Sequence, residues 1–215
     1  MILYYILLLV TAFFAYVLGS MNTRVIASNF IFGRSLMRLG EGGIWFSNFK
    51  RVYGIKGFIK IGLVELARNL LPIIIGSLLL SIKGHAVAGR AFAGFCLVLG
   101  SLYPVFYGFR GSHALVAMIM TAISVDTSVG IAVGAVAAAV AWFTRYMSLG
   151  TIVGALAFIL AALLVLDDNL VILLCVFSAG LVLFRHIPAI ARLVKGTESK
   201  FSFAEDISYK FDEKM

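Results

Sequence analysis

The chain has 215 residues, of which 62% are hydrophobic and only 13% are charged. This balance excludes an ordinary soluble domain, in which about a quarter of the residues are charged, and it indicates an integral membrane protein. The formal net charge of +8 is typical of a membrane protein whose basic loops meet the cytosol and anionic headgroups. No basic stretch is interleaved with stacking aromatic residues, so the sequence does not indicate a nucleic acid partner.

The cysteines and the N-terminal residues exclude further classes of protein. Cys96 and Cys175 each lie in an apolar run without a CxxC partner. We therefore expect two small buried hydrophobic residues, with neither a disulfide framework nor a metal site. Residues 1–18 are apolar but lack the positive charges that open a secretory signal peptide, so we interpret them as an uncleaved first membrane span.

Apolar stretches separated by polar breaks predict an all-α, polytopic membrane bundle of about seven transmembrane spans. The spans cover residues 1–18, 57–81, 91–107, two segments of 114–143 that divide at Asp126, 149–166 and 170–184. The first segment of the divided pair is shorter than the ~20 residues that cross a bilayer. We expect it to tilt, or to include Arg110 and His113 by snorkelling. Pro72 is expected to kink the second span.

The charges between the spans predict the orientation of the bundle. With the N-terminus outside and the C-terminus in the cytosol, the inner segments are residues 20–56, 108–113, 144–148 and 185–215. They hold 14 of the 18 Lys and Arg residues (six, one, one and six), which satisfies the positive-inside rule. This orientation places all the polar breaks with residues suited to phosphate on one cytosolic face.

The first inner segment has the composition of an anion-binding cradle. Residues 19–51 combine several cations with a glycine-rich run and with neighbouring hydroxyl and amide side chains. Glycine lets backbone N–H groups approach a ligand closely, and such groups bind anions. The residues that we expect to bind a phosphate group are Arg38, Gly40, Gly42, Ser47, Asn48 and Arg51. The alternative is that the cations serve only to set topology.

Glu65 and Arg68 lie inside the second predicted span, three residues apart. At this spacing they share one helix face and can neutralise each other, and charges inside a bilayer usually have a partner. We interpret them as a structural pair that locks helices together, with a role in substrate binding as the alternative.

Several motifs occur together in a recognisable order. They are Gly19-Ser20, the group Gly40-x-Gly42 with Ser47-Asn48 and Arg51-x-x-Gly54, the run from Leu99-Gly100 to Arg110-Gly111, then Ser148-Leu149-Gly150, and Arg185-His186. In order and spacing, from about residue 18 to 196, they resemble the bacterial acyl-phosphate:glycerol-3-phosphate acyltransferase family (PlsY). The resemblance implies a seven-span plasma-membrane enzyme whose active site faces the cytoplasm.

The implied reaction transfers a fatty acyl group from acyl phosphate to glycerol 3-phosphate. The products are lysophosphatidic acid, a precursor of membrane lipids, and inorganic phosphate; the resemblance implies no cofactor, acyl-CoA or acyl carrier protein. We expect residues 1–196 to form the acyltransferase-like domain and residues 197–215 to form a charged cytoplasmic tail.

Acyl phosphate is already activated, so no enzyme nucleophile is required. The enzyme must position its substrates, neutralise two phosphates and remove a proton. We expect Ser148, His186 and Arg110 to be catalytic, and Gly111 and His113 to join the substrate-binding residues. His186 orients glycerol phosphate or takes its proton, with the substrate's own phosphate as the alternative base. The alternatives for Ser148 and His186 are a helix N-cap and an interfacial residue.

The chain departs from the family pattern within these motifs. Glu41, Gly43 and Trp45 stand where the family has Ser, Asn and Gly, while His113 replaces a Lys and Ala189 an Asn. A carboxylate beside a dianionic substrate is repulsive. Two alternatives therefore stay open: a catalytically impaired or repurposed paralogue that binds a phospholipid precursor, and a small membrane transporter. The sequence does not indicate an oligomeric state.

Overall fold

The computed structural model describes residues 2–23, 46–109, 111, 114–198 and 200, with the backbone alone at 46–53 and 58. Across these residues the regular secondary structure is helical. The helices are α1 (Ile2–Ser20), α2 (Phe46–Ser81), α3 (Ala86–Leu102), α4 (Leu115–Val125), α5 (Thr127–Thr144), α6 (Met147–Val165), α7 (Asn169–Arg185) and α8 (Ile187–Val194), with a short 3-10 turn at Val105–Tyr107.

Five of the described helices are long and apolar enough to cross a membrane: α1, α2 from Gly54 onwards, α3 with the turn that follows it, α5 and α6. The helices α7 and α8, bent by 49° against each other, form a sixth candidate as one broken span. The 11 residues of α4 rise only about 17 Å, well short of the ~30 Å hydrocarbon core. The predicted membrane bundle of helices is confirmed, whereas seven spans and the orientation of the termini stay predictions.

Polar breaks in the sequence set the helix boundaries. Asp126 divides the apolar region 114–143, and its Oδ1 accepts a hydrogen bond from the Val129 N–H at 2.9 Å as the N-cap of α5. The Asp168 carboxylate does the same for the first amides of α7. Such caps satisfy N–H groups that have no partner within the helix. The pKa of Asp126 is lowered, chiefly because the Ser128 hydroxyl donates to its charged form.

The chain divides into two compact units. One consists of Met1–Met21 and Asn69–Lys200, and the other of Asn22–Arg68 and Phe201–Met215. In the first unit α3 is the central helix, because it packs on α1, α4 and α7, while α6 packs on both α5 and α7.

Small residues allow the helices of the first unit to approach closely. At Gly76 of α2, an added Cβ would lie 2.6 Å from the Cβ of Ala93 and 2.9 Å from the carbonyl oxygen of Gly89. Only glycine permits this contact with α3, as is usual where membrane helices touch through their backbones. The apolar core of the unit includes Leu97, Val98, Met118 and Phe158, all fully buried.

The second unit contains the charged pair expected inside a span. Arg68 Nη2 donates to Glu65 Oε1 at 3.1 Å, and the two side chains are only 10% and 9% exposed. The Thr23 hydroxyl donates to the second carboxylate oxygen, Oε2. Pairing compensates two charges in apolar surroundings; their role in locking helices stays a prediction.

The backbone of α2 departs from helical geometry at Gly54, where φ is 65° and ψ is −174°. Glycine adopts this positive φ at little cost, so the sequence places the kink at this residue. The helix continues through Pro72, and the kink predicted at this proline stays a prediction.

Candidate active site

The predicted site residues differ in how much of them the structure describes. Five lie outside the described residues: Arg38, Gly40, Gly42, Arg110 and His113. Three belong to the part of α2 described by its backbone alone: Ser47, Asn48 and Arg51. Three are described with their surroundings and belong to the first unit: Gly111, Ser148 and His186.

Gly111 lies against the C-terminal end of α3. An added Cβ would lie 2.2 Å from the carbonyl oxygen of Ser101 and 2.4 Å from that of Leu102, far inside van der Waals contact. The position therefore requires glycine. The Ser101 hydroxyl donates to the carbonyl oxygen of Gly19 at 3.3 Å. The end of α1 and the run 99–111, which carry two of the sequence motifs, thus meet at this point.

The chain enters α4 through a left-handed residue. Ala114, directly before α4, has φ 53° and ψ 14° and is 6% exposed. A residue with a Cβ pays roughly 1 kcal/mol for this conformation. Glycine would adopt the same conformation at less cost, because it has no Cβ.

Ser148 lies in the first turn of α6 and is 6% exposed. The N-cap position of α6 is Tyr146, so the alternative role of Ser148 as an N-cap does not apply. Its hydroxyl instead donates to Oε1 of Glu198. This bond joins the start of α6 to a residue 50 positions later in the chain.

Glu198 is held by Arg192 of α8, whose Nε lies 2.6 Å from Oε2. A Schellman motif returns the chain to this point: Gly196 has φ 67°, its N–H donates to the Leu193 carbonyl at 3.1 Å, and the Thr197 N–H donates to the Arg192 carbonyl at 2.9 Å. Such a motif needs a residue that tolerates positive φ, usually glycine. It therefore brings a buried carboxylate, whose side chain is 9% exposed, back against the bundle.

A second contact holds the same segment in place. The ammonium group of Lys200 lies 5.8 Å from the ring centroid of Tyr146, within the range of a cation–π interaction. Tyr146 directly precedes α6, so the segment after α8 is attached to the start of α6 at two positions, Glu198 and Lys200.

His186 lies at the bend between α7 and α8, outside both helices, and is 1% exposed. Its Nδ1 is 2.7 Å from the Val182 carbonyl oxygen, and because a carbonyl only accepts, Nδ1 carries the hydrogen. Burial lowers the pKa of His186, the Val182 bond and Glu198 raise it in part, and the Arg185 and Arg192 charges lower it. The net lowering favours the neutral imidazole at pH 7, which is the form that accepts a proton.

The structure thus brings two of the residues predicted to be catalytic to one end of the first unit, where α6, α7 and α8 meet. Ser148 donates to Glu198, and the charge of Glu198 acts on His186. A hydroxyl, a carboxylate, a guanidinium and an imidazole are suited to binding and deprotonating an alcohol. The searched, described part of the chain contains no group of three or more side chains that could hold a metal ion.

Arg192 and Glu198 are not among the residues predicted from the sequence. The available signal was Gly196, which follows the helical pattern of residues 187–194 as a C-terminal stop. An acidic residue two positions beyond such a glycine lies where a Schellman motif turns the chain back along the helix.

Comparison with known sequences gives a match over most of the chain. The model of the family described as "Glycerol-3-phosphate acyltransferase" matches residues 9–196. The glycerol-3-phosphate acyltransferase of Thermoanaerobacter sp. (strain X514) is 28% identical over 197 residues, which cover 92% of this chain and 97% of the relative.

Solved structures are similar over the same extent. The glycerol 3-phosphate form of PlsY (YgiH), an integral membrane glycerol 3-phosphate acyltransferase, matches with a TM-score of 0.75 and 25% identity, covering 91% of this chain and 96% of that chain. The lysophosphatidic acid form of PlsY matches with a TM-score of 0.73 and 26% identity over the same shares. Both matches extend over nearly the full length of the solved chain.

Proposed function

Because the chain belongs to the glycerol-3-phosphate acyltransferase family, we propose that it is a membrane enzyme of phospholipid synthesis that acylates glycerol 3-phosphate to lysophosphatidic acid. The observation that carries the proposal is the match to PlsY in its glycerol 3-phosphate form over 91% of the chain. Its chemical counterpart is that Ser148 and His186, from separate motifs, lie at the same end of the first unit, at the start of α6 and at the end of α7.

We propose acyl phosphate as the acyl donor. A serine that attacks an acyl group is activated by a general base, most often a histidine, whereas Ser148 donates its hydrogen to the Glu198 carboxylate, which is ion-paired with Arg192. Direct attack on a mixed anhydride requires no such nucleophile. The arrangement therefore supports a donor that arrives already activated.

In the proposed reaction a hydroxyl oxygen of glycerol 3-phosphate attacks the carbonyl carbon of the acyl phosphate. An ester C–O bond forms, the anhydride C–O bond breaks, and inorganic phosphate leaves with the electron pair of that bond. The hydroxyl proton passes to Nε2 of neutral His186, with the substrate's phosphate as the alternative acceptor.

Charge on the two phosphates is neutralised by cations and by backbone N–H groups. We assign this role to Arg38, Gly40, Gly42, Ser47, Asn48, Arg51, Arg110, Gly111 and His113. Residues 1–196 form the proposed acyltransferase domain. Residues 197–215 form the tail, from which Glu198 reaches the site.

We propose that the site faces the cytoplasm of a bacterial cell. The helices α5 and α7 both pack on α6. They begin at the Asp126 and Asp168 caps and end at Thr144 and Arg185, with Arg145 directly after Thr144, so along each helix the carboxylate and the cation lie at opposite ends. The site occupies the cationic end, beside Arg185 and Arg192. Cationic ends of membrane helices favour the cytosolic side.

The test is turnover by the purified protein in detergent, given acyl phosphate and labelled glycerol 3-phosphate. We expect labelled lysophosphatidic acid and one inorganic phosphate per product molecule. S148A should lower the rate, while S178A is the matched control, because the Ser178 hydroxyl donates within its own helix to the Leu174 carbonyl at 2.7 Å. Glycerol 3-phosphate binding without product would instead favour the repurposed paralogue, and uptake into proteoliposomes would favour the transporter.

A further inference from the structure

The Glu198 carboxylate joins two groups that could each bind a substrate. One oxygen accepts from the Ser148 hydroxyl, and the other lies 2.6 Å from Arg192 Nε. The carboxylate side chain is 9% exposed, whereas that of Arg192 is 49% exposed. Glu198 therefore lies on the inner side, in contact with the buried serine, and Arg192 lies on the outer side.

The direction of the hydrogen bond to Ser148 follows from the charge of Glu198. A guanidinium at 2.6 Å favours the ionised carboxylate, which can only accept hydrogen bonds. Ser148 has a single O–H, and that hydrogen is donated to Glu198. Only the lone pairs of the serine oxygen are left for a ligand.

We propose that Glu198 is a positioning residue that commits Ser148 to accept a hydrogen bond from a hydroxyl group of glycerol 3-phosphate. This inference rests on the proposed function. Phosphate oxygens and the acyl carbonyl are themselves acceptors. Because Ser148 can then only accept a hydrogen bond, it binds the alcohol part of the substrate in preference to these groups. Ser148 thereby holds a substrate hydroxyl at the end of the first unit where His186, the proposed base, also lies.

Attachment of the tail alone does not account for this carboxylate. The Schellman motif at Gly196 and the contact of Lys200 with Tyr146 already direct and hold the segment. A tail anchor also gains nothing from burying a charge, because desolvation offsets the attraction. An ionised group at this position is required, however, if Glu198 fixes the direction of the hydrogen bond so that Ser148 is always the donor to it.

The E198Q variant tests the inference, because it keeps the size of the side chain but provides only one accepting oxygen. Arg192 attracts that oxygen, so the amide NH2 faces Ser148 and donates to it. One lone pair of Ser148 is then occupied by the amide, and its hydrogen is free to turn toward the ligand, so the serine no longer presents two acceptor sites to the substrate hydroxyl. We expect the Kd of glycerol 3-phosphate, measured by isothermal titration calorimetry, to rise about tenfold, the loss expected for one hydrogen bond.

A double-mutant cycle separates positioning from a structural role. If Glu198 acts through Ser148, S148A should raise the Kd by a similar factor and E198Q should add less than about twofold in the S148A background. Equal factors for E198Q in both backgrounds would overturn the inference. So would tighter binding by E198Q, which would mean that the carboxylate competes with the substrate phosphate.

Two controls complete the design. D167N removes one negative charge from an exposed residue and should leave the Kd unchanged. The melting temperature of each variant is measured in the same detergent, and a loss of folding by E198Q in both backgrounds would identify Glu198 as structural and overturn the inference. Product formation by the unmodified protein is measured in parallel, so that failure of the proposed function is distinguished from failure of this inference.

Discussion

Replacement of Gly111 by alanine tests whether the loop after α3 is part of the active site. The new Cβ would lie 2.2 Å from the Ser101 carbonyl oxygen, whereas real Cβ atoms essentially never approach within 3.0 Å. The loop or the end of α3 must therefore move by at least the difference, about 0.8 Å. Because the close atoms belong to the backbone, a side-chain rotation cannot relieve the contact.

A shift of this size should lower activity more than stability. Arg110 directly precedes Gly111 and His113 follows two positions later, and both are predicted phosphate ligands. A misplacement of about 1 Å can reduce a rate by ~100-fold, so we expect kcat/KM of G111A to fall by about that factor. Overpacking typically lowers the free energy of unfolding by ~1–3 kcal/mol, which leaves a folded protein.

The assay is formation of lysophosphatidic acid in detergent, with the melting temperature measured on the same sample. G180A is the matched control, since a Cβ at Gly180 would meet no atom within 4 Å. A kcat/KM for G111A within about threefold of the unmodified protein would refute the placement of this loop at the site. So would an equal loss of activity in G180A.

Four further changes test other features of the molecule. H186Q should lower kcat by ~100-fold or more if the imidazole is the general base; a fall of less than about tenfold would assign the proton to the substrate's phosphate. A114G should raise the free energy of unfolding by up to about 1 kcal/mol, because glycine tolerates the positive φ, and a lower melting temperature would contradict this. R68A should lower the free energy of unfolding by ~3–5 kcal/mol, because it removes the ion pair that Arg68 forms with the buried Glu65 carboxylate, while E65L combined with R68M should lower it by less. D126A should lower the melting temperature at neutral pH. Because the folded-state pKa of Asp126 is lowered, the difference from the unmodified protein should persist above the ordinary aspartate pKa of about 3.9 and disappear as pH falls below it.

The sequence is most informative where an apolar run ends at a capping residue. The predicted spans 149–166 and 170–184 correspond to Met147–Val165 and Asn169–Arg185, because Asp168 provides an unambiguous N-terminal signal. The second half of the divided apolar region likewise begins directly after its aspartate, as predicted.

The third span shows where hydropathy alone misleads. The prediction began at residue 91, whereas α3 runs over Ala86–Leu102, so Arg90 lies inside the helix. Its Nη1 donates to the Ser124 carbonyl oxygen at 2.7 Å, at the end of α4. A neighbouring helix end thus provides a partner that makes the charge tolerable, and such a partner is not visible in a window of sequence.

In the candidate site, the motif residues are predictable from the sequence, whereas the carboxylate that accepts from Ser148 is not. Ser148 and His186 belong to motifs, but Glu198 lies in a tail that composition describes only as charged. Its importance arises from the turn at Gly196 and from a contact across 50 positions of chain. A contact of that range depends on tertiary structure, which spacing cannot reveal.

The central position of α3 has a consequence for biogenesis. In an apolar 18-residue stretch of Ala86–Tyr107, 61% of the residues are buried, compared with 22% in the corresponding stretch of Ile2–Ser20. Helices enter the bilayer in the order of their synthesis, and association follows insertion in the two-stage description. The first helix therefore stays largely surrounded by lipid until α3 emerges from the ribosome, and a nascent chain arrested before residue 102 lacks the surface on which the later helices assemble.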